Sequence, residues 1–145
     1  MLENIALKYY NMGYNCAETL FLAGNEMYNL GYDEKSARLF AAFGGGLQCG
    51  DLCGCLTGAA GVLGTMFVPT KAHDVAELRP YTQLLIKEFE KAAGARKCID
   101  IKPRLFSKEI RCQNTIIQGA IALENTIELI KIVTNNSNSS FFIIA

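Results

Sequence analysis

Apolar positions along this chain recur at steps of three and four, the period of a helix buried on one side. No segment keeps the alternation of a strand. Leu2, Ile5, Tyr9 and Met12 mark the face of a first helix over residues 2–12, which Gly13 interrupts. Asn15 then stands as an N-cap, and Glu18 completes a pattern close to a capping box. The second helix that follows presents Cys16, Leu20, Ala23, Met27 and Leu30 on one face and ends at Gly31. Asp33 caps a third helix over residues 34–43. Asp74 and Glu77 resemble another capping box, Pro80 marks a turn or kink, and a firm helix runs over residues 80–93 to Gly94. Residues 99–106, which contain Pro103, read as a connection. Ser107 opens the last helix, and Ile116, Ala120, Leu123, Ile127 and Ile130 form its seam. The expected fold is all-α, an antiparallel bundle of five to six helices over one domain, residues 1–134. Residues 135–145 change from a polar run to five apolar residues and are expected to be a frayed tail. Docking of that tail on the same or a neighbouring chain, and so a homodimer, is the alternative.

The bundle is organised around residues 43–67. Three consecutive glycines, Gly44 to Gly46, carry too much backbone entropy for a helix and predict a loop. From Asp51, a suitable N-cap, residues 52–68 contain no charge and no proline. A helix starting there places Cys53 in its first turn. The unpaired N–H groups and the positive end of the helix dipole lie there, and such a site lowers a thiol's pKa. Gly54, Gly58 and Gly61 fall on one face of this helix. Each costs roughly 1 kcal/mol against alanine, so close packing against another helix must offset them. The expectation is the most buried helix of the bundle. A membrane span is the rival, at the lower edge of the length required and with no second long apolar segment to pair with.

Composition narrows the function. The 145 residues suit a single domain with a real core. Half are hydrophobic, 19% are charged, and the net charge is zero. That balance argues against a nucleic-acid partner. The first ten residues lack the apolar core and cleavage site of a signal peptide, so the expected location is cytoplasmic. Six cysteines in such a setting point to metal binding or redox work rather than to disulfide staples.

Short connections make successive helices antiparallel. Under that topology the starts of the second, fourth and last helices and the end of the fifth all fall at one end. Cys16, Cys53, Cys98 and Cys112 therefore gather there, although they are far apart in sequence. Cys49 lies in the approach loop. Cys55, two residues past Cys53, is expected to point about 200° away from it. The spacing alone is a weak metal signal, with no CxxC pair and no zinc-finger or ferredoxin run.

Cys53-Gly54-Cys55-Leu56-Thr57-Gly58 is similar to the CGAxxG motif of the C_GCAxxG_C_C family of redox-active proteins. Gly13–Glu18 (GYNCAE), Phe43–Gly46 (FGGG), Cys98 and Cys112 also resemble that pattern, in the right order. The resemblance runs from about Ile5 to about Val133. Cys55 departs from it, because the motif has alanine there, and Cys49 is extra. A similar domain in split-Soret cytochromes holds an iron–sulfur cluster. The resemblance would carry that role to Cys16, Cys53, Cys98 and Cys112.

Three functions are weighed. The first is an iron–sulfur or other metal centre on those four cysteines, used in electron transfer with a redox partner protein. Gly54 and Gly58 would let backbone approach the cofactor. The second is a thiol–disulfide oxidoreductase with Cys53 as the reactive thiol. The third is a structural or partner-binding bundle whose cysteines are only core. Whether the protein is an enzyme is left open among the three. His73, the only histidine, reads as a solvated surface residue. The FGGG loop follows no strand and lacks the Lys-Ser/Thr ending of a phosphate-binding loop.

Overall fold

A computed structural model describes residues 1–136, and the expected tail lies almost wholly outside the described residues. The described part is all-α: α1 (Leu2–Asn11), α2 (Cys16–Met27), α3 (Gly54–Phe67), α4 (Leu78–Ala93), α5 (Cys98–Leu105) and α6 (Gln113–Asn136). A ten-residue 3₁₀ segment, Glu34–Phe43, follows α2. Among the described residues β pairing is confined to two isolated bridges.

α3 is the axis of the bundle. It packs against α2, α4, α6 and the 3₁₀ segment, and among the described residues it is the one α-helix without an exposed residue. Its glycines make the contact with α2 possible. A Cβ on Gly58 would collide with the carbonyl oxygen of Ala17, and one on Gly61 with the Phe40 ring. The fit is mutual, because Val62 of α3 fills the space over Gly24 of α2. Phe40 in turn stacks on Phe21 at 4.7 Å, which seats the 3₁₀ segment on α2. Among the described residues no helix is long and apolar enough to cross a membrane.

Several local expectations hold and others shift. Asn15 and Glu18 form the full capping box at the start of α2, and Gly94 ends α4 in the left-handed conformation. The seam of α6 is buried at all five predicted positions. The buried face of α1 is Leu2, Ala6 and Tyr10, whereas Met12 is exposed. Pro80 neither kinks nor starts α4. It is the third residue of the helix, where a missing N–H costs nothing because first-turn N–H groups have no partner in the helix. Residues 98–105 form a helix despite Pro103, not a connection. Ser107 caps only a tight turn, its Oγ accepting from the Ile110 N–H, and α6 begins at Gln113.

The start of the central helix is also displaced. Asp51 and Leu52 are not helical. Leu52 pairs with Lys97 in an antiparallel bridge, and Cys53 itself is the N-cap, at φ −58° and ψ 134°. Contacts between segments outweighed the local capping signal of Asp51.

Candidate functional site

Four helix starts meet at one end of the bundle. Cys16 is the first residue of α2 and Cys98 the first of α5. Cys53 caps α3, and Cys112 immediately precedes α6. Each is placed by its own local device. The capping box fixes Cys16, and Asn15 Nδ2 donates to the Ala41 carbonyl at 2.9 Å, tying α2 to the end of the 3₁₀ segment. Around the Leu52–Lys97 bridge, the Cys53 N–H donates to the Arg96 carbonyl at 2.9 Å. The Cys98 N–H donates to the Asp51 carbonyl at 2.7 Å. Those two bonds bring the starts of α3 and α5 together. The Cys112 N–H donates to the hydroxyl of Tyr10 at 3.1 Å, and the Arg111 guanidinium lies 5.3 Å above the same ring.

Together Cys16, Cys53, Cys98 and Cys112 line one cavity of about 100 Å³, with Gly45, Ile101, Lys102, Phe106 and Thr115. A larger, open groove of about 740 Å³ runs past Gln83, Lys87, Glu90 and Arg96. It holds no cysteine, so we place the site at the smaller cavity. All six cysteines are free thiols. The four stand around a space rather than converging on a point. Among the described residues no group of three or more His, Cys, Asp or Glu is arranged to hold a metal ion as the side chains stand.

Gly45 reaches the cavity through an unusual turn. Gly45, Gly46, Leu47 and Gln48 all have φ between 57° and 65°. Left-handed backbone costs a side-chain-bearing residue roughly 1–2 kcal/mol, so Leu47 and Gln48 are held there against their preference. The Asp51 N–H closes the turn on the Gly46 carbonyl at 2.9 Å, and Gly46 has no room for a Cβ against the Asp51 backbone. The turn aims the Gly45 N–H at the Cys16 sulfur.

The electrostatics separate the thiols. Cys16 is lowered to about 6, first by a hydrogen bond with Cys55 and then by the N–H groups of Gly45 and Ala17, which outweigh its burial. Cys53 is also lowered, chiefly by Cys55. A thiol has one proton to donate, so Cys55 serves one sulfur at a time. Backbone N–H groups serve both sulfurs, those of Gly45 and Ala17 at Cys16 and those of Cys55 and Leu56 at Cys53, but the charge on Cys16 opposes ionisation of Cys53, so Cys16 is favoured as the thiolate. Cys55 is pushed well up by the same bonds and by full burial. Burial raises Cys98, and burial followed by the neighbouring thiolates raises Cys112 to about 11.

Cys55 is therefore part of the site, contrary to the expectation that it points away. That expectation counted helical rotation from Cys53, but Cys53 is extended and the helix begins one residue later. Where α6 crosses, Gly119 leaves room for Cys55, and a Cβ on Gly119 would lie 2.9 Å from the Cys55 Cβ. Gly54 and Gly58 do not line the cavity. Gly54 packs against the Cys16 sulfur and the Ala17 N–H, and Gly58 packs on the α2 backbone. Cys49 is exposed, its thiol 3.5 Å from the Gly46 carbonyl, and does not line the cavity. His73 is exposed in the turn before α4. The sequence signal for Gly45 was the glycine run. Ile101, Lys102 and Phe106 were hidden because their segment read as a connection.

A family model described as "Putative redox-active protein (C_GCAxxG_C_C)" matches residues 14–126. Comparison with curated proteins and with solved structures gives no match. The family match takes in every cysteine of the cavity together with Cys49 and Cys55, and the chain belongs to the C_GCAxxG_C_C family.

Proposed function

We propose that the cavity holds an iron–sulfur centre ligated by Cys16, Cys53, Cys98 and Cys112, and that the protein passes electrons through it. One observation carries this reading: four cysteines distant in sequence line one cavity, each at the start of a helix. The donor set fits such a group. Thiolates are its usual ligands, and helix N-termini offset the negative charge that four of them bring. Cysteines spaced around a cavity suit a core of several atoms better than a single ion. Bound there, the cluster would accept and release single electrons. The chain's own contribution is electrostatic. The Cys16 thiol is lowered to about 6, by Cys55 first and then by backbone N–H groups that include that of Gly45. Cys98 and Cys112 keep their protons until a metal displaces them. Free thiols of this kind suit a reducing, cytoplasmic setting.

The test is protein purified without oxygen and reconstituted with ferrous iron and sulfide. The expected result is visible charge-transfer absorption, with iron and sulfide bound in fixed ratio. Changing any one of the four cysteines to serine should abolish or strongly reduce both. Reconstituted protein with no bound iron would overturn the reading.

A second reading, thiol–disulfide exchange, is favoured by the acidity of Cys16. Cys16 is partly exposed whereas Cys53 is 4% exposed, so Cys16 is the better placed to attack. Its thiolate would displace one thiol from a partner disulfide. The Cys55 sulfur, having lost its proton, would then release the second thiol and leave a Cys16–Cys55 disulfide. Equilibration in glutathione buffers tests it. A two-electron transition that Cys16→Ser and Cys55→Ser both remove would support this reading over the first.

A further inference from the structure

The lip of the cysteine cavity carries apolar side chains in open water. Ile99 is 63% exposed, Leu47 49% and Phe106 40%. They belong to one region. Ile99 lies against Gly50, in the loop that carries Leu47. Phe106 lines the cavity beside Lys102, whose ammonium sits 5.5 Å from the centre of the Phe106 ring.

The same lip is basic. Residues 96–111 hold six of the chain's fourteen Lys and Arg and two of its fourteen Asp and Glu, all of them exposed. The chain as a whole has zero net charge, so the segment that supplies Cys98, Ile101, Lys102 and Phe106 to the cavity carries a local positive excess, with Lys102 on the cavity itself and Arg96 paired with Glu90 at 2.7 Å. Asp51 on the facing segment removes only part of it.

We propose that this lip is the docking surface for an acidic electron-carrier protein, one that presents carboxylates around an apolar redox edge. The proposal rests on the reading of the cavity as a redox centre and names its partner. An apolar middle with a charged rim is the anatomy of a protein interface. Complementary charge speeds the encounter and orients it. Electron-transfer encounters are among the smallest interfaces, under about 1,200 Å², so a partner of this kind needs only a small docking patch. A second copy of this chain fits less well, because a two-fold contact would set the basic patch against itself. An anionic bilayer would satisfy the charges but would bring no redox group to the cavity.

The experiment titrates the full chain, iron-free and reconstituted, with an acidic plant-type [2Fe–2S] ferredoxin. Basic cytochrome c and phosphatidylserine vesicles serve as counter-probes. Ferredoxin should bind at about 20 mM salt and weaken roughly tenfold or more by about 500 mM. Lys97→Glu combined with Lys108→Glu should weaken it about tenfold at low salt. Ile99→Ser should weaken it while keeping the salt dependence. No ferredoxin binding, tighter binding of cytochrome c, capture by the vesicles, or an unaffected double variant would each overturn the proposal. Because iron-free chain is tested as well, lack of bound iron with docking intact defeats only the cluster reading. Bound iron without docking defeats only this one.

Discussion

Cys55 of α3 is the neighbour that most lowers the pKa of Cys16 on the adjacent helix, and Cys55 is itself pushed well up by the same pairing. Cys55→Ala restores the residue of the CGAxxG motif and removes the donor. Alkylation of Cys16 by iodoacetamide should then titrate well above its midpoint of about 6, toward the ordinary thiol value of 9.0. Cys55→Ser keeps a donor and should move the midpoint little. A Cys55 side chain pointing away from Cys53, as helical rotation alone would have it, would make Cys55→Ser mild for a different reason. The alanine variant separates the two explanations, and an unmoved midpoint would rule out the hydrogen bond as the cause.

Stability of the reduced, metal-free protein should pass through a maximum with pH. Folded Cys16 loses its proton at about 6 and the unfolded thiol at 9.0, so the folded state binds fewer protons between them. Stability therefore rises with pH across that window and is lost as pH falls through 6. Cys112 has the opposite sign. Its folded pKa is pushed up to about 11, so stability falls from about 9 to 11, and Cys98 acts in the same direction. Urea midpoints across this range check it. Cys16→Ser should flatten the rising limb and Cys112→Ser the falling one.

The glycines of α3 should not be equivalent. Gly58→Ala forces a methyl group into the Ala17 carbonyl, and an overpacked contact of that kind costs about 1–3 kcal/mol, with Gly58→Leu worse. Gly64 has nothing within 4 Å of its Cβ position. Gly64→Ala should stabilise by up to about 1 kcal/mol from helix propensity. Thermal unfolding of the pair distinguishes a packed stripe from a merely small one. Equal effects would contradict the structure.

The left-handed turn offers a matching test. Gly46→Ala combines positive φ with a clash on the Asp51 backbone and should cost about 1–3 kcal/mol. It should also raise the alkylation midpoint of Cys16, because the Gly45 N–H would be displaced. Gln48→Gly relieves left-handed strain but adds unfolded-chain entropy. It should be neutral to stabilising by up to about 1 kcal/mol and should leave Cys16 unchanged.

Most of the helices were legible because their signals are local. Asn15 and Glu18 cap α2 within one turn, Gly94 supplies the left-handed stop of α4, and the α6 seam follows a 3.6-residue period. The errors share a different cause. Pro103 read as a breaker, yet α5 forms because Cys98 and Ile101 bury against the rest of the bundle. Asp51 read as a cap, yet bonding with Arg96 and Cys98 keeps residues 51–53 extended.

The sequence by itself determined an all-α chain, its central glycine helix, and the placing of Cys16 and Cys53 where helices begin. Caps, glycines and apolar periods act over a few residues and need no partner. Only the tertiary structure decided which thiol meets which. It closed the four cysteines that helix direction sends to one end into a single cavity, turned Cys55 toward Cys16, and set the Gly45 N–H on the sulfur. Those relations depend on the Leu52–Lys97 bridge, on Gly119 leaving room for Cys55, and on two side-chain-bearing residues held left-handed. Each is a contact between distant segments strong enough to override local preference, and such contacts leave no period or cap to read.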